Sequence, residues 1–230
     1  MSISACVSGA DRGLGYELAK GLLEKGYTVF AGRYNKQWTL LDELKEAYPE
    51  RLIPVDLDVS DDESVKAAAG FIKSKAEKLE VLVNNSAILG DITSTIHDPL
   101  DFDEMLRVIN VNAIGALRVI NALYPLIMAG DKKLVMNISS EAGSIGACHR
   151  KGWFGYCASK AALNMLSAIV HNSLKETGGQ VILIHPGWMK SWISGKYSDE
   201  APLTPDIPAM KILDIIRNPG KYKGGKACIH

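Results

Sequence analysis

Ile3-Ser4-Ala5-Cys6-Val7-Ser8-Gly9-Ala10-Asp11-Arg12-Gly13-Leu14-Gly15 begins as a short apolar run, breaks at Ser8-Gly9 and leads into apolar residues at helical spacing, Leu18, Leu22 and Leu23. The pattern predicts a strand, a glycine turn and a helix in immediate succession. Gly9, Gly13 and Gly15 stand where a backbone must bend tightly, approach a ligand closely and let the helix pack on the strand. Amides of such a turn gather at the helix N-terminus, where the dipole favours an anion such as a pyrophosphate. A glycine-rich turn alone serves structure as readily as binding, so its meaning depends on what the other strand ends carry.

The second strand, Tyr27 to Gly32, ends in Arg33-Tyr34-Asn35. In an NAD site an acidic residue about 20 positions beyond the glycines binds the ribose 2′-hydroxyl. Here the strand end carries Arg33. A guanidinium at that place pairs with a 2′-phosphate, with Arg12 joining it, which favours NADP(H) over NAD(H); otherwise both arginines are simply solvated. A helix from about Leu40 to Tyr48 and a strand from Arg51 to Leu57 lead to Asp58-Val59-Ser60-Asp61. Open α/β sheets bind ligands at the carboxyl ends of their strands, so Asp58 and Val59 are candidates for the adenine, with Ser60 and Asp61 read as helix caps.

Val81-Leu82-Val83 runs into Asn84-Asn85-Ser86-Ala87, where paired amides bond either the chain to itself or a cofactor. Between Pro99 and Met128 apolar positions recur at helical intervals in two segments, with Asn110-Val111-Asn112-Ala113-Ile114-Gly115 between them. Leu134 to Ile138 is a buried strand that delivers Ser139 and Ser140, and Val181 to Ile184 is another that meets His185-Pro186-Gly187. Strands alternating with helices predict an α/β fold with a doubly wound parallel sheet covered by helices on both faces, and residues 1–230 read as a single domain.

Tyr156-Cys157-Ala158-Ser159-Lys160 places a phenol and an ammonium four residues apart, on one face of any helix that carries them. A neighbouring cation favours the phenolate, so the pair is suited to passing a proton. The plain alternative is a helix-start tyrosine with an exposed lysine. What weighs against it is the company: the glycine turn, Arg33, Asp58, Asn84 to Ala87, Ser140, and Pro186 to Ser191 all follow strands and therefore share one sheet edge.

Composition narrows the partners. Lys plus Arg equals Asp plus Glu at 26 each, without the basic excess that nucleic acid or an anionic membrane attracts. Cys6, Cys148, Cys157 and Cys228 have no metal spacing, and such sparse use suits a reducing compartment. The N-terminus lacks the basic and apolar regions of a signal peptide, and no apolar run is read as approaching the roughly 18 residues that span a bilayer. A cytoplasmic protein without nucleic-acid, membrane or metal partners is expected.

Taken together, Ser8 to Gly15, Asp58-Val59, Asn84-Asn85-Ser86-Ala87, Asn112-Ala113-Ile114-Gly115, Ile138-Ser139-Ser140, Tyr156 to Lys160 and Pro186-Gly187 resemble the motifs of the short-chain dehydrogenase/reductase family over essentially the whole chain. The turn, His185-Pro186-Gly187-Trp188 and Ala201-Pro202-Leu203-Thr204-Pro205 are most similar to the small NADPH-dependent carbonyl reductases of the C-factor and sniffer type. The resemblance implies a Rossmann fold, an NADP(H) cofactor, a small carbonyl or alcohol substrate, and a homodimer or homotetramer.

It also implies roles. Tyr156 is the general acid and base, Ser140 rather than Ser139 holds the substrate oxygen, and Lys160 lowers the Tyr156 pKa and holds the nicotinamide ribose. Asn112, ahead of Asn110, supports a water linking Lys160 to solvent. Gly9, Asp11, Arg12, Gly13, Leu14, Gly15, Arg33, Asp58, Val59, Asn85, Ser86, Ala87, Tyr156, Lys160, Pro186, Gly187, Met189 and Ser191 are the expected cofactor contacts. Cys157 and Ser159 are left to helix packing and exposure.

Some positions depart from the family pattern. Ser8 and Ser191 stand where threonine is usual, keeping the hydroxyl, and Ala87 adds a methyl where glycine is usual. The loop from Ser140 to Tyr156 is a few residues longer and carries Cys148, His149, Arg150, Lys151, Trp153 and Phe154. It is read as substrate-pocket variation or as an ordinary surface loop. Trp153, Phe154, Trp188, Met189 and Trp192 are candidates for an apolar pocket. The alternatives to a carbonyl reductase are an NAD-dependent alcohol dehydrogenase and a non-catalytic NADP(H)-binding sensor or scaffold.

Overall fold

Apolar residues two apart point to the same face of a strand, and here successive strand residues enter two different cores. In the computed structural model, which describes residues 3–222 and 228–229, Val29 and Ala31 join one apolar layer while Phe30 between them joins the other. Val81 and Val83 against Leu82, and Leu134 and Met136 against Val135, divide in the same way. A sheet apolar on both faces needs helices on both.

The strands are β1 (Ser4–Val7), β2 (Thr28–Arg33), β3 (Leu52–Asp56), β4 (Val81–Asn84), β5 (Leu134–Ile138), β6 (Gln180–Ile184) and β7 (Cys228–Ile229). All pair in parallel, in the order β3-β2-β1-β4-β5-β6-β7. One layer is built by α1 (Gly13–Glu24), α2 (Leu40–Ala47) and α7 (Asp206–Arg217), through Leu18, Leu22, Leu41, Ile212 and Ile216. The other is built by α3 (Asp62–Lys73), α5 (Gly115–Ala129) and the end of α6 (Phe154–Lys175), through Ile72, Leu123, Ile127 and Leu174. Burying each such side chain contributes roughly 1.5–3 kcal/mol, against about 0–1 kcal/mol for a surface ion pair. The two layers therefore hold the sheet edge on which the site stands.

The doubly wound α/β fold agrees with the sequence expectation, with three additions. The two helical segments around Asn112 are one continuous helix, because α4 (Phe102–Ile109) passes through a π-turn at Asn110–Ile114 directly into α5. By length and composition this helix, Phe102–Ala129, could cross a membrane; its most apolar window has a mean hydropathy of 1.4 and is half buried inside the fold. That differs from the expectation of no such run, and its apolar stripe is used in packing on β4, β5 and α3. Helix α7 packs on α1, and β7 extends the sheet beyond β6. Two residues are too few to show a strand period, which is why β7 is not readable from sequence.

Candidate active site

Helix α1 starts at Gly13, and the side chain of its extended N-cap residue Arg12 makes no capping hydrogen bond. The first-turn N–H groups thus open onto the turn without a side-chain acceptor, the arrangement that suits an anion. Gly9 and Gly13 take left-handed φ of 60° and 58°. Among the described residues a Cβ on Gly13 would meet nothing within 4 Å, so the turn leaves open space beside the helix end. The shape is fixed from below: the Ser8 hydroxyl accepts from the backbone N–H groups of Asn85 (3.1 Å) and Ser86 (3.2 Å), and Asn85 Nδ2 donates to the carbonyls of Ser8 (3.1 Å) and Gly9 (2.9 Å). Ser8 therefore performs the hydroxyl's role without threonine's methyl.

Several residues expected to touch the cofactor turn their side chains inward. Asn85 stitches the turn, Leu14 is buried in the core, and buried Asp11 accepts the N–H of Asn35 at 3.1 Å. Asp58 closes a local turn by accepting from the N–H and hydroxyl of Ser60 (2.8 and 2.6 Å), Asp61 caps α3, and Val59 is buried against Gly115. What these positions offer a ligand is backbone and shape. Ser86 and Ala87 follow β4 at the same edge and are half-buried.

Both arginines are engaged within the protein. Arg33 Nη1 donates to both Asp42 carboxylate oxygens (3.1 and 3.2 Å) and Nη2 lies 3.9 Å from Asp56, while Nε is buried without a hydrogen-bond partner among the described residues. Arg12 lies 4.7 Å over the Trp38 ring and 5.9 Å from that of Trp192. Cation–π contacts of this kind are worth about 0.5–1 kcal/mol where exposed, enough to orient Arg12 but not to bar an incoming phosphate. Trp38 was not singled out from sequence, because only the fold brings the loop after β2 beside the one after β6.

The run after β6 forms a strap. Gly187 turns it with φ 85°, Met189 packs on the core and bridges Leu203, and Ser191 exchanges backbone bonds with Ser198. Ile193 accepts from the N–H of Leu89, and Trp192 sits 5.6 Å edge-on to Trp38. Pro186, Gly187, Met189 and Ser191 thus lie in one segment leading from β6 toward the glycine turn. The supposed apolar pocket is dispersed. Trp192 belongs to this strap, Trp188 is exposed, and Phe154 lines a small cavity with Leu100, Met105 and Val108. Of that group, Trp153 stands at Tyr156, with ring centroids 6.0 Å apart.

At the centre, Tyr156 and Lys160 share one face of α6, both buried. The Lys160 ammonium donates to the Ile138 carbonyl (2.9 Å) and lies 5.6 Å from the Tyr156 ring centroid. Burial pushes the Tyr156 phenol up to about 12; the Ser140 hydroxyl draws it down, Glu141 and Cys157 raise it, and Arg150 lowers it. Burial also holds Lys160 down at about 8. Burial is thus the largest influence on the phenol in this arrangement and acts against the lowering expected of Lys160.

Asn112 occupies the π-turn, a local widening frequent at functional sites. Its side chain clasps Ile88, accepting from the N–H and donating to the carbonyl (both 2.8 Å), and donates to Ser159 Oγ (3.0 Å). Ser159 Oγ donates to the Tyr156 carbonyl (2.7 Å), so Ser159 is a buried link between Asn112 and the tyrosine rather than a packing residue. Its place three residues after Tyr156 is the local signal that could have revealed it. Asn110 is used elsewhere, donating to the Ser60 carbonyl and accepting from Arg118.

The long loop also contributes a pair that sequence spacing did not show. Arg150 forks onto Glu141, the residue after Ser140, and stacks 4.7 Å over Trp153, which holds a left-handed φ of 67°. Such a backbone in a bulky residue costs on the order of 1–3 kcal/mol and is characteristic of functional positions.

One stability consequence is measurable. Lys160 titrates ordinarily at 10.5 and here at about 8. Between those values the unfolded chain keeps a proton that the folded chain has released, so stability rises with pH across that window and is reduced below it. Lys160→Met is expected to be more stable at pH 7 by about 1–2 kcal/mol, after loss of the Ile138 bond. Thermal unfolding should show this gain disappearing as pH rises from 8 to 10.5; a lower Tm for the variant at pH 7 contradicts it.

Comparison with known proteins agrees with this geometry. A family model described as short chain dehydrogenase matches residues 4–202. The 1-hydroxy-2-glutathionyl-2-methyl-3-butene dehydrogenase of Rhodococcus sp. (strain AD45) is 31% identical over 215 residues, 92% of this chain and 89% of the relative. Among solved structures, the NADPH-bound carbonyl reductase from chicken fatty liver superposes with a TM-score of 0.84 at 30% identity, covering 95% of this chain and 88% of that one. Carbonyl reductase Sniffer of D. melanogaster superposes at 0.86 with 24% identity, covering 98% and 94%, a likeness of fold. A glycine turn opening the sheet, a buried tyrosine and lysine beside Ser140, and a family match over residues 4–202 lead to one conclusion: the chain belongs to the short chain dehydrogenase family of oxidoreductases.

Proposed function

We propose that this protein reduces a small carbonyl compound with NADPH, Tyr156 giving the proton. The observation that carries the reading is a buried phenol set beside the Ser140 hydroxyl, with the buried Lys160 on the same helix face bonded to the Ile138 carbonyl. Reduction needs such a donor, because the carbonyl oxygen gains a proton as the hydride reaches carbon. NADPH, when bound, supplies the hydride.

The chain's own parts fit that cofactor. The uncapped α1 N-terminus and the open space at Gly13 suit a diphosphate. Arg12 and the unpartnered Nε of Arg33 suit a 2′-phosphate, with Asp42 and Asp56 as the groups such a phosphate must compete with. On this reading Ser140 holds the substrate oxygen, and Lys160 holds ribose hydroxyls and returns a proton toward Tyr156. The NADPH-bound chicken carbonyl reductase supports the same assignment.

The test combines binding titrations with a panel of aldehydes, ketones and quinones, following loss of NADPH absorbance. NADPH should bind at least about tenfold more tightly than NADH, a difference of about 1.4 kcal/mol. Arg33→Ala should remove most of that preference, since a hydrogen bond to a charged group contributes about 1.5–3 kcal/mol. Tighter binding of NADH would instead favour the NAD-dependent alcohol dehydrogenase reading, which the Arg33 ion pairs with Asp42 and Asp56 support. Tight NADPH binding without turnover of any carbonyl would favour a binding protein.

The free thiols of Cys6, Cys148 and Cys157 suit a reducing, cytoplasmic setting; the side chain of Cys228 lies outside the described residues. Helices α4 and α6 pack together and expose Phe102, Leu106, Met165 and Ile169, which supports a homodimer or homotetramer through this face. Light scattering at assay concentration should give a multiple of the chain mass; a monomer ends that reading.

A further inference from the structure

Residues Lys160, Asn164 and Ser167 recur at helical spacing along one face of α6, and each takes a group from the end of β5. Lys160 donates to the Ile138 carbonyl at 2.9 Å. Ser167 Oγ accepts from Asn137 Nδ2 at 2.7 Å. Between them, Asn164 Oδ1 accepts from the Ser139 hydroxyl at 2.6 Å, and its Nδ2 donates to the Gly143 carbonyl at 3.2 Å.

Ser139 and Gly143 bracket Ser140. The short 3₁₀ turn Glu141–Gly143 that follows Ser140 is closed by Ser140 itself, whose hydroxyl accepts from the Ala142 N–H and whose carbonyl accepts from the Gly143 N–H, both at 3.1 Å. One amide side chain on the helix of Tyr156 and Lys160 therefore holds both ends of the segment that presents Ser140. The fit at the far end is tight: a Cβ on Gly143 would lie 2.7 Å from Asn164 Nδ2 and 2.7 Å from the Lys160 carbonyl carbon. Beyond the turn, residues 144–149 are exposed, and Arg150 returns to Glu141, tying the turn to its own loop and not to α6.

We propose that Asn164 is a positioning residue that sets Ser140 against Tyr156 by bonding Ser139 and Gly143 at once. The inference rests on the carbonyl reductase reading for its catalytic consequence, and on hydrogen bonds alone for its structural one. Ser140 and Tyr156 must meet the same carbonyl oxygen, and a misplacement of about 1 Å costs on the order of 10²-fold in rate.

The experiment has two readouts. In the protein without cofactor, Asn164→Leu keeps the branched outline of the side chain and removes both bonds, so the amides of Ala142 and Gly143 should exchange with solvent at least about tenfold faster while those of Val135 and Met136 in β5 do not change. In turnover, the same variant should lose about 10–100-fold in kcat, with KM and the NADPH Kd within about threefold. Asn164→Asp keeps the acceptor for Ser139 and should recover part of the loss. Ser139→Ala removes one of the two bonds and should cost less than Asn164→Leu, and the double variant should be no worse than Asn164→Leu alone.

Unchanged exchange at Ala142 and Gly143, equal acceleration throughout β5, or a kcat within about twofold of wild type would each overturn the assignment. If Asn164→Leu does not fold, Ser139→Ala decides through the same two amides. Should the wild type turn over no carbonyl, the function proposed above fails while the exchange measurement still judges Asn164.

Discussion

Tyr156→Phe is expected to lower kcat by about 10²–10⁴-fold, the usual contribution of a positioned general acid, with NADPH affinity and folding close to wild type. The substitution keeps the ring that meets Trp153 edge-on at 6.0 Å and lies 5.6 Å from the Lys160 ammonium. Only the hydroxyl is lost. Ser140 keeps its bond from the Ala142 N–H, so stability should change by no more than about 1 kcal/mol. Turnover of an active carbonyl, with a parallel NADPH titration, checks the pair of statements; undiminished kcat would remove Tyr156 from the mechanism.

The pH behaviour of that phenol follows from its burial. Its ordinary value of 10.0 is raised to about 12 in the folded protein. Between these values the folded chain retains a proton that the unfolded one loses, so the contribution to stability is intact below pH 10 and is lost as the pH climbs toward 12. Lys160 acts in the opposite sense between 8 and 10.5. The site thus holds two groups whose charged forms are both disfavoured by the same dry surroundings.

Gly15→Ala is expected to be the most damaging single-methyl change at the turn. The added Cβ would lie 2.1 Å from the Gly9 carbonyl oxygen, 2.5 Å from Asn85 Nδ2 and 2.8 Å from the Gly9 carbonyl carbon. Two of those atoms are backbone and cannot swing aside, so α1 must move off the turn or the Asn85 bond to Gly9 must break. A cost of about 3 kcal/mol, the upper range for overpacking, should lower Tm by about 6–12 °C for a chain of this size and weaken NADPH binding by at least about 10²-fold.

Gly13→Ala is the control. Among the described residues its Cβ meets no atom within 4 Å, and it suffers the left-handed φ of 58°, a strain of about 1–2 kcal/mol. Thermal unfolding and NADPH titration of the two variants side by side separate crowding from backbone strain. Equal damage in both, or normal binding by Gly15→Ala, would contradict the close-approach account.

Much of this site is legible in the order of residues along the chain. Strand, turn and helix periods place the glycine turn, Arg33, Asp58, Asn84 to Ala87, Ser140 and Pro186 at strand ends, and parallel pairing puts all strand ends at one edge. Helical spacing puts Tyr156 and Lys160 on one face, which the structure shows on α6. Periodicity also carries the two-faced core, since residues such as Phe30 and Val29 alternate between layers. These are local facts, decided by neighbours in sequence and by the geometry of one element.

What each polar group spends itself on is a different matter. Asn85 and Asp11 face the protein because a buried turn must satisfy its own carbonyls and N–H groups before any ligand arrives. Arg12 lies against indoles from two loops, Arg33 meets Asp56 as well as Asp42, and Ser159 bonds Asn112 from 47 residues away, contacts that bring separate segments together. The protonation of Tyr156 and Lys160 likewise depends on burial by the whole fold. By itself the sequence determined the α/β order, the sheet edge and the identity of the tyrosine–lysine pair. Only the tertiary structure decided which side chains remain open to a ligand and in which direction the pKa values of the pair move, because desolvation and hydrogen-bond satisfaction are sums over everything packed around a group.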